Sequence, residues 1–552
     1  MSIPNPMDHI TEARHVLGTL TRSGLLTALR PDKYVKMAAA VRREGMSVTT
    51  GFAIAAARCP DRPGLIDDLG TLTWKELDDR CNALAAALQD LDEGPPQRLG
   101  IMCRNHRGFV EALAAAFKVG ADVLLLNTSF AGPALAEVVN REGVETVIYD
   151  EEFTGSVDRA LADKPSARRI VAWAEDASMH DVTVEKLISS SRGRRPKPST
   201  GKGHLIMLTS GTTGTPKGTT HSGGGPKELT VILDRTPWRA EETTVVVAPM
   251  FHAWGFSQLI FSALMACTVV TRRRFDPEAT LELVDRHQAT GLCVVPVMFD
   301  RIMALPNHVR IKYTGQSLRF AAASGSRMRP DVVTSFMDEF GDIIYNNYNA
   351  TEAGMIALAT PADLRYAPDT AGKPASGTQI RILDGAHKEV PTGDTGQVFV
   401  YNSMLFDGYT GGTTKSFCDG FMASGDLGYF DDTGRLFVVG RDDEMIVSGG
   451  ENVYPIEVEK LLMTHDDVVE ASVIGADDET YGQRLVAFVV LTDGACASAD
   501  TLKQHVRENL ANYKVPRQIT VLDQLPRSST GKILRRELQV RVGGASNDGG
   551  RE

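Results

Sequence analysis

The sequence predicts an α/β protein: a large N-terminal domain of mostly parallel sheets covered by helices, with a small β region, then a small α+β C-terminal domain. Three observations carry this. From about residue 70, amphipathic stretches alternate with short apolar runs, the βα pattern of a parallel sheet covered by helices. After about Gly372 the texture turns to short β segments separated by turns. Beyond Arg441 it turns again, to a helix, two strands and a second helix.

Two short helices come first, within residues 8–43. Ile10, Val16, Leu17 and Leu20 mark one apolar side, and Tyr34, Val35, Ala38 and Val41 another; Arg22, Arg30, Lys33, Lys36, Arg42 and Arg43 make the segment basic. Such an arm either packs on the large domain with a solvated basic face or lies against an anionic membrane as a peripheral contact. Next, Trp74, Leu77, Cys81, Leu84, Leu88 and Leu91 are spaced 3, 4, 3, 4, 3, which is one stripe of a helix. LGIMC (99–103) follows as a buried strand. A helix over 110–117, a strand at 123–126, a helix over 135–140 and a strand at 146–149 repeat the pattern. In the later β region GTQIRILD, GQVFVYN and GRLFVVG are strands; the last module has a helix over 456–463, strands VEASVIG and RLVAFVVL, and a helix over 499–510. The expected domains are a basic helical segment (1–45), the large domain (46–441), the small domain (442–540) and a disordered tail (541–552).

At 552 residues the chain has room for two to four domains of roughly 150 residues each. Hydrophobic residues at 42% and charged ones at 23% exclude wholesale disorder. With 59 Lys+Arg against 70 Asp+Glu, the net charge of −11 argues against a nucleic-acid partner, so an anionic ligand needs a local site. The 7 cysteines are scattered from Cys59 to Cys496 without a close pair, which suits a reducing cytoplasm and neither zinc nor a disulfide framework. No apolar run is long enough for a membrane-spanning helix, and neither end carries a targeting signal, so a cytoplasmic protein is expected. The oligomeric state is not legible.

The most informative segment is LTSGTTGTPKG (208–218). Its glycines let backbone N–H groups converge on phosphate oxygens, its hydroxyls add donors and Lys217 adds charge, which makes a polyphosphate cradle. It is not a Walker A loop, because Pro216 stands where that motif needs glycine before the lysine. Four further segments follow in order: PMFH (249–252), YNATE (348–352), SGDLG (424–428) with GRDD (440–443), and PRSSTGK (526–532). Together these segments resemble the acyl-adenylate-forming superfamily over about residues 50–540, most of all its medium- and long-chain fatty acyl-CoA synthetases.

That resemblance implies a reaction and a site. Carboxylate and MgATP give acyl-AMP and pyrophosphate; the thiol of coenzyme A then gives the thioester and AMP. Thr209, Ser210, Gly211, Thr212, Thr213, Gly214 and Lys217 would hold the phosphates, Ser324, Gly325, Ser326 and Tyr348 the adenine, Thr351 the α-phosphate, and Glu352 the Mg²⁺. Asp426 and Arg441 would take the ribose. Lys532 would bridge the two reacting anions, whose mutual repulsion the site must offset. Asp443 corresponds to the hinge of a mobile small domain, and Gly449 and Gly450 to a segment passing close to the pantetheine of coenzyme A. His252, Trp254, Gly255, Phe256, Val295 and Met298 would line the acyl pocket, with His252 also at the thiol entrance. Asn349 departs from the glycine common in relatives. An apolar lining without a charged group points to a medium- or long-chain fatty acid. The alternatives are an acyl- or aryl-AMP ligase serving a carrier-protein pantetheine and, more distantly, a non-catalytic nucleotide-binding protein.

Overall fold

The computed structural model describes residues 6–545 except 46, 93, 131, 200, 202, 210–216, 221–225, 411, 449–450, 479–481 and 529–530. It forms two compact units, one of residues 1–378 with 402–415, the other of residues 379–401 with 416–552.

The first unit holds two mixed sheets with parallel centres. In one, the spatial order is Lys373–Pro374, Gly354–Ala359, Ile344–Ala350, Phe320–Ser324, Gly291–Val294, Thr243–Val246, Thr268–Val270, Pro63–Asp67 and Gly70–Thr73. From Ile344–Ala350 to Pro63–Asp67 the pairing is parallel, and the antiparallel partners lie at the edges. Central strands such as Phe320–Ser324 and Gly291–Val294 are buried along their whole length, as parallel strands covered on both faces must be. The other sheet runs Gly408–Tyr409, Lys217–Thr220, Leu205–Thr209, Asp122–Leu125, Arg98–Met102, Thr146–Asp150 and Arg168–Trp173.

The predicted βα alternation is observed. The helix Trp74–Gln89 starts at a capping box in which Thr73 and Glu76 satisfy each other's backbone N–H groups, and it buries Leu77, Cys81, Leu84 and Leu88. His106 caps the next helix, Arg107–Val119. Its Nδ1 accepts from the Gly108 N–H at 3.0 Å, which leaves the ring proton on Nε2, 2.7 Å from Asp150 Oδ1. Cys103 lies beside this pair in a buried cluster of metal-ligand type. Both imidazole nitrogens are already spent within the protein, and burial pushes the Cys103 thiol up. The cluster is an internal brace.

The N-terminal helices, Pro6–Arg22 and Pro31–Glu44, have one side packed on this unit. His15 Nε2 and Thr19 Oγ1 reach the Asp234 carboxylate at 2.9 and 3.0 Å, Arg58 donates to the carbonyls of Gly24 and Leu25, and Lys118 holds Glu44 at 2.6 Å.

In the second unit, Gln379–Leu383, Gly396–Tyr401, Phe421–Phe430 and Phe417–Cys418 form an antiparallel sheet, with Leu436–Arg441 also paired to Phe421–Phe430. A further sheet comprises Glu451–Val453, Ile446–Ser448, Gly482–Leu491 and Val468–Asp478, joined by Gln518–Val521. Its companions are the helices Pro455–Leu462, Ala499–Asn509 and Arg535–Ala545. The expected 441/442 boundary therefore falls inside a compact unit: Gln397 Nε2 donates to Asp442 Oδ2 at 2.9 Å, and Glu444 pairs with Arg535 at 3.1 Å. The expected tail is also corrected. Residues 541–545 continue the helix Arg535–Ala545, because Leu538 and Val542 bury against Ile474 and Phe488; residues 546–552 lie outside the described residues. Among the described residues no helix is long and apolar enough to cross a membrane.

Candidate active site

Parallel strands in an α/β sheet leave a crevice beyond their carboxyl ends. In the first unit, four neighbouring strands deliver expected site residues to that edge. Thr243–Val246 leads to His252, Gly291–Val294 to Val295, Phe320–Ser324 to Gly325 and Ser326, and Ile344–Ala350 carries Tyr348 and leads to Thr351 and Glu352. Ser324 is buried, and its backbone is paired with Asn347. Gly325 has φ +105°, and a Cβ there would meet nothing within 4 Å, so glycine serves the turn rather than a close contact. At Tyr348/Asn349 the pairing shifts register, a bulge that re-aims the following side chains. The Asn349 Oδ1 is buried without a hydrogen-bond partner among the described residues.

The described ends of the expected cradle lie on paired antiparallel strands of the other sheet, with Thr209 opposite Lys217. Ser210, Gly211, Thr212, Thr213 and Gly214 fall outside the described residues. Lys217 opens the returning strand and sets its ammonium 5.1 Å from the centre of the Tyr409 ring, a cation–π arrangement. The Tyr409 hydroxyl donates to Glu352 Oε1 at 2.7 Å, and the Phe406 N–H donates to the Glu352 carbonyl at 2.8 Å. Glu352 is only 9% exposed. Tyr409 thus ties the cationic and acidic side chains together, and Thr219 pairs with its backbone. The sequence reading missed Tyr409. A tyrosine in a two-residue edge strand carries no periodic signal, and its partners come from distant segments.

The expected acyl wall is one apolar cluster. Trp254, Phe256, Val295 and Met298 are all buried in the core of the first unit, while His252 is half-buried with its ring 4.5 Å from that of Phe251. Trp254 Nε1 donates to the Val294 carbonyl at 2.8 Å, so the indole is fixed rather than free to swing. A Cβ on Gly255 would stand 2.3 Å from the Pro249 carbonyl oxygen; this glycine serves close packing of the PMFH segment, not space for a ligand. Asn105, which no motif signalled, pins the same segment through the Ala248 carbonyl and the Met250 N–H.

The second unit supplies the other expected residues. Asp426 and Arg441 face each other across paired strands, with Arg441 Nη1 3.1 Å from Asp426 Oδ1. Gly425 has φ +87°, and a Cβ there would press on the Arg441 guanidinium. Lys532 is exposed on a tight turn: the Ser528 N–H donates to its carbonyl at 2.8 Å, Gly531 adopts φ +79°, and Leu534 N–H closes on Pro526 O. The backbone of Asp443 lies in the short 3-10 turn Asp442–Glu444. Gly449 and Gly450 lie outside the described residues.

The two units, a large α/β one with mixed sheets and a smaller one of sheets and helices, have the adenylate-forming enzyme fold. The chain belongs to the AMP-binding enzyme family: residues 52–410 match the AMP-binding enzyme model, and 457–532 the AMP-binding enzyme C-terminal domain. It is 31% identical to a 2-succinylbenzoate–CoA ligase of Geobacillus kaustophilus, over 87% of this chain and 95% of that one. It is also 31% identical to a feruloyl-CoA synthase of Amycolatopsis, over 91% and 100%. A fatty acid–[acyl-carrier-protein] ligase of Streptomyces coeruleorubidus is 28% identical over 90% and 96%. Among solved structures, the o-succinylbenzoate CoA synthetase of Bacillus subtilis with its acyl-adenylate has a TM-score of 0.75 at 26% identity, covering 89% of this chain and 97% of that one. ATP and coenzyme A are the substrates of such ligases, with Mg²⁺ as the partner of ATP. The expected likeness to fatty acyl-CoA synthetases in particular is not what these relatives single out, since aryl acids figure in their names as much as fatty acids.

Proposed function

We propose that this protein converts a medium- or long-chain fatty acid to its acyl-CoA through an acyl-adenylate. The observation that supports the substrate class is that the expected wall residues Trp254, Phe256, Val295 and Met298 are buried in the apolar core, with no charged group among them. It suits an alkyl body whose carboxylate alone is polar.

The residue roles are those the family resemblance implies. Thr209, Lys217 and the loop between them bind the polyphosphate; Ser324, Gly325, Ser326 and Tyr348 flank the adenine; Thr351 bonds the α-phosphate. Asp426 accepts from the ribose hydroxyls, and Arg441 supports it. Glu352 fits the magnesium of MgATP: it offers hard carboxylate oxygens, one of them oriented by Tyr409. A Mg²⁺ held there would supply neutralisation of the pyrophosphate charge. Lys532 neutralises the carboxylate and the α-phosphate together as they approach. For the second half-reaction, Asp443 is the hinge, Gly449 and Gly450 admit pantetheine, and His252 borders the thiol entrance.

A second reading, an aryl acid, is favoured by relatives named for succinylbenzoate and ferulate and by the fixed Trp254 indole, which suits a compact ring. Transfer to a carrier protein is represented by the Streptomyces coeruleorubidus relative. AMP release across alkyl acids from short to long chain and simple aryl acids, with and without coenzyme A, tests all three. Highest kcat/KM for longer alkyl acids with coenzyme A is expected. A preference for aryl acids transfers the assignment to the second reading, and acyl-AMP that stalls with coenzyme A but discharges onto a carrier protein transfers it to the third.

A further inference from the structure

We propose that the outer face of the N-terminal helical segment is a docking surface for an anionic lipid bilayer. The chain carries a net charge of −11, yet from Arg14 to Arg43 it has Arg14, Arg22, Arg30, Lys33, Lys36, Arg42 and Arg43 against the single acid Asp32. Asp32 is taken up locally by Arg30 at 2.9 Å and Lys36 at 3.5 Å. The next acid, Glu44, is nearly buried between Lys118 at 2.6 Å and Arg43 at 3.2 Å.

On the helix Pro31–Glu44 the inward side carries buried Ala40 and the Glu44–Lys118 pair. Tyr34, Val35, Ala38, Ala39 and Arg42 are spaced 1, 3, 1, 3, which sets them on the opposite face, and all are exposed. Val35 is 69% exposed, Tyr34 46% and Leu26, in the preceding turn, 42%. The Tyr34 hydroxyl donates to the Thr27 carbonyl at 2.6 Å, which joins that turn to the helix face in one patch. The inner side is fixed to the protein, so folding cannot hide the outer one.

An exposed apolar strip bordered by Lys36 and Arg42 matches the two terms of interfacial binding: side chains that enter the headgroup boundary, and cations that meet acidic lipids. Charge excludes the obvious protein occupant. A second copy docking by the same face would set basic residues against basic residues.

The test uses the full-length protein and flotation with vesicles of phosphatidylcholine alone or mixed with phosphatidylglycerol. Binding to the mixed vesicles at low salt, release at high salt and little binding to phosphatidylcholine are expected. Lys36→Glu/Arg42→Glu and Leu26→Glu/Val35→Glu should each weaken binding at least about tenfold, with AMP release from a water-soluble acid unchanged, and Lys36→Arg/Arg42→Lys should restore it. Failure to bind acidic vesicles, or binding that both charge-reversed and apolar-to-acid variants leave intact, overturns the proposal. So does a dimer in sedimentation that Val35→Glu dissociates, which would give the patch to a second copy.

Discussion

Glu352 and Lys532 carry opposite charges and are held in opposite ways. Glu352 is buried in the first unit, with its backbone bonded by Phe406 and its carboxylate by Tyr409, whose ring also receives Lys217. Lys532 is exposed on a turn of the second unit that is tightened by backbone hydrogen bonds between Pro526 and Leu534. The acid is oriented within the folded unit, so in the proposed role it would lose little freedom on binding. Lys532 sits at the surface of its turn, so in the proposed role its contribution would fall on the step in which two anions meet.

The largest expected effect tests the lysine. Lys532→Ala should slow acyl-adenylate formation by on the order of 10² or more, while thioester formation from supplied acyl-AMP continues. Equal loss in both half-reactions would place Lys532 outside that division of labour. Asp426→Ala should raise the KM for ATP by about tenfold or more, the scale of a lost charged hydrogen bond, with a smaller fall in kcat. An unchanged KM would remove the Asp426–Arg441 pair from the nucleotide site.

On the preorganised side, Tyr409→Phe deletes the hydrogen bond to Glu352 but keeps the ring beneath Lys217. We expect roughly a tenfold loss of adenylation and a shift to higher Mg²⁺ in the activation curve. Tyr409→Leu should cost a further few-fold, because about 0.5–2 kcal/mol of cation–π attraction goes with the ring. If Tyr409→Phe behaves as wild type at every Mg²⁺ concentration, the acid does not depend on that bond. The smallest catalytic effect belongs to Trp254→Phe. It loses the bond to the Val294 carbonyl and some buried volume, so about 1–3 kcal/mol of stability should go, read as a lower Tm. Preference among acids should shift by less than about tenfold toward longer or bulkier ones. An unchanged acid profile with a lower Tm would make Trp254 core rather than pocket wall.

The sequence by itself determined what short-range physics writes. The helix Trp74–Gln89 is legible because its apolar stripe lies within one segment, and the expected cradle because a Gly/Thr run with a lysine follows a short apolar strand. The order of the motifs likewise named most of the candidate site. Two limits of the large-scale reading came from pairing that no local window contains. Leu436–Arg441 pairs with Phe421–Phe430, and Gln397 bonds Asp442, which joins the β region to the C-terminal module across the boundary expected at 441/442. Residues 541–545 looked like tail because their glycines are poor helix formers, yet burial of Leu538 and Val542 carries the helix to Ala545. Tertiary structure alone decided that Tyr409, 57 residues from Glu352, would hold its carboxylate. It also decided that Gly255 would pack against the Pro249 carbonyl and that the Trp254 indole would bond the Val294 carbonyl. Side-chain periodicity records which residues are buried, whereas a hydrogen bond between distant segments depends on where the intervening chain returns.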